Sequence, residues 1–198
     1  MTARLSLAAL LLALPGLAAA DRAGEAIRVQ AESFQKEGFA GYAMRRGSEV
    51  IQNATLYTKT YGTMEVALDD GTELLVGPSS SIVIDSYVYD PEGGAVGMSL
   101  AKGALRVISG RLKKDESEFR TAVANIGVRG TQFWLDVDTP GLTRLWVDEG
   151  SVIARPVDSN EVFVFDEPVY AECTRTTCRE AWPPPRPIVY PIDPTARR

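Results

Sequence analysis

The chain has 198 residues, of which 45% are hydrophobic and 24% charged, with a formal net charge of −5 and no histidine. The lack of histidine excludes Ser-His-Asp and Cys-His nucleophilic catalysis and histidine-based zinc hydrolysis. The acidic balance argues against a nucleic-acid partner, because phosphate recognition needs a basic face.

Residues 1–20 read as an export signal. Arg4 gives a positive start, 5–14 is a continuous apolar run with one Ser, Pro15 and Gly16 break any helix, and Ala18, Ala19 and Ala20 place small residues before a cleavage expected after Ala20. An uncleaved anchor is the alternative, but the apolar run falls short of the roughly 20 residues that span a bilayer. No later segment is apolar enough to span, so the mature chain is expected in the periplasm or outside, without a membrane span. Losing Arg4 leaves 20 cationic against 26 anionic side chains, a net charge of −6.

Residues 21–41 form a lead-in. Within it, 22–36 allows a short helix, although Ile27-Arg28-Val29 would equally open a strand. Strand patterning dominates from there on. Residues 64–68 and 72–76 flank Asp69-Asp70-Gly71, and Asp70-Gly71 between two such runs is a hairpin signal, since glycine takes positive φ without a Cβ penalty. Residues 81–85 and 87–89 continue the pattern until Pro91-Glu92-Gly93-Gly94 stops it. Further short strands are expected at 95–100, 104–108, 121–126, 131–137, 142–147, 151–154 and 161–165, punctuated by Gly103, Gly110, Gly127, Gly130, Pro140-Gly141 and Glu149-Gly150. Turn signals every eight to fifteen residues mark an all-β fold of many short strands, as a sandwich, a barrel, or a solenoid or roll.

Cys173 and Cys178 are the only cysteines. In an oxidising compartment a close even pair is expected to form a disulfide that shapes a local turn. A redox pair would need the Cys-x-x-Cys spacing, and zinc would need more ligands. The tail from Trp182 contains Pro183, Pro184, Pro185 and Pro187. Prolines fix φ and lack a donor, so 182–198 is expected as extended polyproline II, lying along the domain or serving as a docking peptide.

Three chemistries survive without histidine. Ser99-Leu100-Ala101-Lys102 matches Ser-x-x-Lys, but in a β segment Ser99 and Lys102 point to opposite faces. Paired carboxylates for glycoside hydrolysis are available among Glu65, Asp69, Asp70, Glu73, Asp136, Asp138, Asp148 and Glu149, with no spacing that selects a pair. Asp136 and Asp138 share a strand face and would offer two ligands to a hard cation, far fewer than six. No catalytic residue, metal site or cofactor is therefore expected.

The most distinctive stretch is Ala124-Asn125-Ile126-Gly127-Val128-Arg129-Gly130-Thr131-Gln132-Phe133. Ile126 and Val128 share a strand face, while Gly127 and Gly130 are expected to admit another backbone closely. Arg129 is expected inside, bound to a carboxylate or carbonyls, because an unpartnered buried charge is costly. Thr131 is expected to bond back to the turn.

This stretch, with Thr121 ahead of it, resembles the Thr-x-x-Ala-x-Ile-Gly-Val-Arg-Gly-Thr-x-Phe signature of the FecR family of periplasmic regulatory domains. Leu68-Asp69-Asp70-Gly71-Thr72, Pro78-Ser79-Ser80-Ser81, the run from Gly103 to Gly110 and Trp146-Val147-Asp148-Glu149-Gly150-Ser151-Val152 resemble its other segments in order. The resemblance covers roughly 42–156 and implies a non-enzymatic all-β domain, which in full-length regulators relays a signal to a cytoplasmic sigma factor. It implies Ile126, Gly127, Val128, Arg129, Gly130, Thr131, Asp70 and Gly71 as signature positions.

The expected organisation is 1–20 signal, 21–41 lead-in, 42–156 FecR-like β domain, 157–181 a C-terminal β and disulfide segment, and 182–198 the proline-rich tail. The expected role is a non-catalytic binding, signalling or scaffold module with an envelope protein or glycan as partner. The alternatives are a carbohydrate-active enzyme using a carboxylate pair and a self-assembling envelope component.

Overall fold

The computed structural model describes residues 22–88, 95–110 and 117–183, apart from the side chains of Val88, Ala95 and Arg129. The expected export signal, the stop at 91–94 and most of the proline-rich tail lie outside these residues. Every regular element among them is a strand, fifteen in all. The all-β class expected from the turn spacing is the class observed, and the helical option for 22–36 gives way to β1 (Arg22–Val29) and β2 (Ser33–Glu37).

The local rules are clearest in the hairpin of β6 (Met64–Leu68) and β7 (Glu73–Val76). Met64, Val66 and Leu68 alternate inward, and Gly71 takes φ 87° in the turn. The buried Asp70 carboxylate accepts from the Thr72 amide at 3.1 Å and the Thr72 hydroxyl at 2.6 Å. A short acidic side chain that bonds two residues ahead is what makes such a turn close.

Three strands are longer than their sequence suggests. Each of β9 (Ala95–Ile108), β11 (Ala124–Thr139) and β12 (Leu142–Pro156) replaces two expected short strands. The intervening glycines, Gly103 (φ 87°), Gly130 (φ 59°) and Gly150 (φ 86°), bend the strand without ending it. Across each bend the buried face changes phase. β9 buries Val96, Met98 and Leu100, then Leu105 and Val107; β11 buries Ala124, Ile126 and Val128, then Phe133, Leu135 and Val137; β12 buries Leu145 and Val147, then Val152 and Ala154. Side chains alternate with period two, so a strand that turns a corner needs an extra residue to keep facing the same core. In β11 the ladder to β12 shifts register between Arg129 and Gln132, at that extra residue.

The bends divide one sheet into two wings. The first runs through β3 (Ala40–Ala43), β2, β5 (Thr55–Thr58), β8 (Ser81–Val88), the first half of β9, β10 (Ser117–Arg120), the first half of β11, the second half of β12 and β13 (Phe163–Asp166). The second runs through β4 (Glu49–Ile51), β1, β6, β7, the second halves of β9 and β11, the first half of β12, β14 (Val169–Cys173) and β15 (Cys178–Glu180). Among these ladders β9–β10 is parallel and the others antiparallel. Of the expected architectures, the ladders form one barrel-like sheet bent into two wings, with mainly antiparallel pairing in place of the parallel pairing of stacked solenoid coils.

One core fills the space between the wings. Leu56, Ile82 and Ile84 come from the first wing and Val66, Leu74 and Val76 from the second, all within a single cluster. Phe119 of β10 meets Phe133 of β11 edge-on, with ring centres 4.9 Å apart. The Asp70 amide donates to the Tyr87 hydroxyl at 2.7 Å, tying the β6–β7 turn to β8.

Cys173 and Cys178 form the expected disulfide and are cross-strand partners closing the β14–β15 hairpin. Both are buried. Arg175 at the hairpin tip donates to both Asp158 carboxylate oxygens, at 2.7 and 3.0 Å, and to the Ala122 carbonyl at 2.8 Å.

Candidate functional site

The signature stretch forms the corner of β11. Ahead of it, the Thr121 hydroxyl accepts from the Ala124 amide at 3.1 Å and from the Thr143 hydroxyl at 2.9 Å, a side-chain turn that starts the strand. Ile126 and Val128 pack into the core, as their shared face implies.

Gly127 differs from expectation. A Cβ there would meet Arg155 Nη1 at 3.7 Å and the Ile153 carbonyl oxygen at 3.9 Å, ordinary contacts that require no glycine. Its neighbours lie at normal sheet spacing because the outward face is open there. Gly130 is exposed and supplies the positive φ of the bend. Close backbone approach is found elsewhere, at Gly24, Gly62, Gly110 and Gly103; at Gly103 a Cβ would fall 2.5 Å from Ser80 Cα.

The Arg129 backbone pairs with Ser151, while its side chain, expected inside, lies outside the described residues. Thr131 bonds to the neighbouring strand through its backbone. Its amide donates to Ser109 Oγ at 3.4 Å and its carbonyl accepts from the Ser109 amide at 3.0 Å. Its buried hydroxyl, expected to bond back to the turn, has no partner among the described residues, because the bend aims it into the interior. The signature thus sets a bend.

The candidate carboxylates mostly have partners. Arg28 holds Glu65 at 2.8 Å and Arg22 holds Asp69 at 2.7 Å. Glu149 accepts from Gln132 Nε2 at 2.7 Å. Asp136 and Asp138 do share a face, but Arg144 occupies it, 3.0 and 3.8 Å from them. Burial pushes the Asp136 carboxyl above its ordinary value, against the pull of Arg144. A guanidinium thus sits where a hard cation would. Among the described residues no cluster of three or more metal-ligating side chains occurs. Ser99 donates to Asp85 at 2.5 Å, so its hydroxyl is directed away from the Ser-x-x-Lys partner Lys102.

A different feature lies at the rim of the first wing. All four residues of β3 are exposed, and its ladder is to β2. The preceding turn projects a fully exposed Phe39. Tyr42 on β3 accepts from the Gln35 side-chain Nε2 and donates to Glu37 Oε1 at 2.5 Å, which holds its ring in place on this edge.

The FecR family model, described as FecR protein, matches residues 54–153, which is 100 of the 198 residues. The chain belongs to the FecR family. Two crystal structures of a protein assigned as an anti-sigma factor from Parabacteroides distasonis ATCC 8503, at 2.50 and 1.65 Å resolution, share the fold. They superpose with TM-scores of 0.51 and 0.51 at 15% and 16% identity, covering 64% of this chain. This chain spans 58% of the length of those proteins. No curated protein matches the sequence significantly.

The FecR domain also carries a row of side chains that the sequence reading missed. On the outer face of the second wing Tyr170, Trp146, Trp134, Arg106, Leu75 and Glu65 are successive cross-strand partners. Trp146 and Tyr170 touch with ring centres 4.9 Å apart, and the Arg106 guanidinium lies over the Trp134 ring at 5.5 Å. The signal lay in the glycines. Once Gly130 and Gly150 are read as phase changes, Trp134 and Trp146 fall on the outward face.

Proposed function

We propose that this FecR-family chain works in the bacterial envelope as a non-catalytic signalling module that binds another protein. The observation that carries this reading is the FecR match over 54–153, on a fold shared with a protein assigned as an anti-sigma factor. Residues 1–20 and the cysteine pair support an exported, oxidising location. The partnered carboxylates support binding over glycoside hydrolysis, which needs one free acid and one free base.

The exposed β3 edge supplies a means of contact. An edge strand presents unpaired backbone groups that a partner strand can complete, with Phe39 and Tyr42 adding apolar anchors. The test is crosslinking in intact envelopes from cells making the full chain or its F39S/Y42S variant. A partner captured by the first and lost by the second, at unchanged melting temperature, supports the reading. Equal capture by both removes the edge from the mechanism, and glycan turnover by the purified chain overturns the non-catalytic reading.

A further inference from the structure

The first wing ends in two strands of four residues, β3 and β13. Each has a single ladder neighbour among the described residues, β2 for one and β12 for the other. Both ends expose apolar side chains, Phe39 and Tyr42 at β3 and Val162 and Val164 at β13. The ends of the second wing are built differently. On β4 and β15 the exposed positions are Glu49, Arg179 and Glu180, all charged. Charged edge strands resist the addition of a further strand. β3 carries no charged residue, and β13 carries its one, Asp166, at its last position.

The two open ends carry opposite charge. Arg45 and Arg46 follow β3, while Asp166 and Glu167 close β13. All four are exposed, and none makes an ion pair among the described residues. A strand added in parallel can set Arg45 and Arg46 beside Asp166 and Glu167. That register brings Gly41 and Ala43 beside Val162 and Val164, and Tyr42 beside Phe163. Cross-strand neighbours must share a face. Tyr42 and Phe163 do, since their ladder partners Gln35 and Ala154 are both buried. Glycine and alanine leave room for the two valines on the outer side, and the two aromatic rings meet on the core side. Run the other way, the strand would carry Glu37 toward Asp166 and Glu167, and like charges side by side destabilise a sheet. Within one copy β3 and β13 do not pair.

We infer that β3 of one copy pairs with β13 of the next, so that the protein assembles head to tail with a second copy of itself. The two surfaces in contact are different, so each added copy leaves one open end. Assembly of this kind runs on as a row unless it closes into a ring. Such pairing rests on the proposed use of β3 as a contact edge and names its occupant.

The test is the mass of the purified full chain by light scattering across a range of concentration. The mean mass is expected to rise to at least about twofold that of one copy. R45E/R46E and D166R/E167R, each alone, are expected to stay single copies with unchanged melting temperature. Mixed in equal amounts they are expected to associate again, because the reversed β3 end of one variant matches the reversed β13 end of the other. An unaltered chain that stays single at every concentration overturns the inference. Variants that associate as the unaltered chain does, or a mixture that stays single, overturn it too. A single-copy chain that still captures a different protein through Phe39 and Tyr42 leaves the proposed function standing while the inference falls. Growth in mass without capture of any other protein in the envelope supports the inference and removes the separate signalling partner.

Discussion

The two wings are joined through the same three strands, yet their outer faces differ. On the first wing, Asp85 accepts from Ser99 at 2.5 Å and faces Arg120 at 3.4 Å, and Arg120 also reaches Glu118 at 3.0 Å. These partly exposed charges satisfy one another beside water, where each pair contributes about 0–1 kcal/mol. On the second wing β11, β12 and β9, across their glycine bends from the first wing, present Trp134, Trp146 and Arg106, whose indole and Nε donors are buried without a partner among the described residues. A bend by one residue decides which side chains look outward, so the sheet carries paired charges on one side of the corner and packed aromatic rings on the other.

The contacts joining the wings test this division most severely. Phe133 is fully buried against Phe119 across the corner. Phe133→Ala is expected to cost about 3–5 kcal/mol, as buried aromatic truncations do, measured by chemical denaturation. A loss below about 1 kcal/mol would mean that the wings fold separately.

The bends themselves come next. Gly103→Ala places a Cβ against Ser80 at a φ of 87°, and should cost about 3 kcal/mol from strain and overlap together. Gly127→Ala, at a position with room and no positive φ, should be neutral or stabilising by up to about 1 kcal/mol. The two variants together separate a glycine that shapes the corner from a signature glycine that does not. A large loss at Gly127 would return close approach to the signature.

Tyr87 gives a smaller loss than Phe133 or Gly103. Tyr87→Phe leaves the buried Asp70 amide without its acceptor and should cost roughly 1–3 kcal/mol. Burial, followed by the nearby Asp70 carboxylate, pushes the Tyr87 phenol well above its ordinary value of 10.0. The folded state then holds that proton more tightly than the unfolded chain. The stabilisation is fully present below about pH 10 and is lost as pH rises beyond it. The Phe variant should lack that part of the alkaline destabilisation, which melting curves between neutral and alkaline pH will show.

Much of the fold was legible from local chemistry. Asp70-Gly71 specifies its hairpin because the turn's φ and its side-chain bonds lie within a few residues. Alternation at 64–68, the apolar phase of Ile126 and Val128, and the Cys173–Cys178 pair are local in the same sense. The order of motifs from Leu68 to Val152 was enough to indicate the FecR family. What a linear reading misjudged were the glycines. Gly103, Gly130 and Gly150 looked like strand ends, since a turn and a bulge use the same backbone freedom. Gly127 looked like a close approach that its neighbours do not make.

The sequence by itself therefore determined the strands, their turns and their apolar faces, because those depend on period-two alternation and on residues close in the chain. Only the tertiary structure decided that three strands continue through their glycines, that Arg144 fills the Asp136–Asp138 face, and that Trp134, Trp146 and Arg106 align. Those outcomes depend on which strands lie side by side, and strand neighbours such as β9 and β11 are joined through ladders that no local pattern encodes.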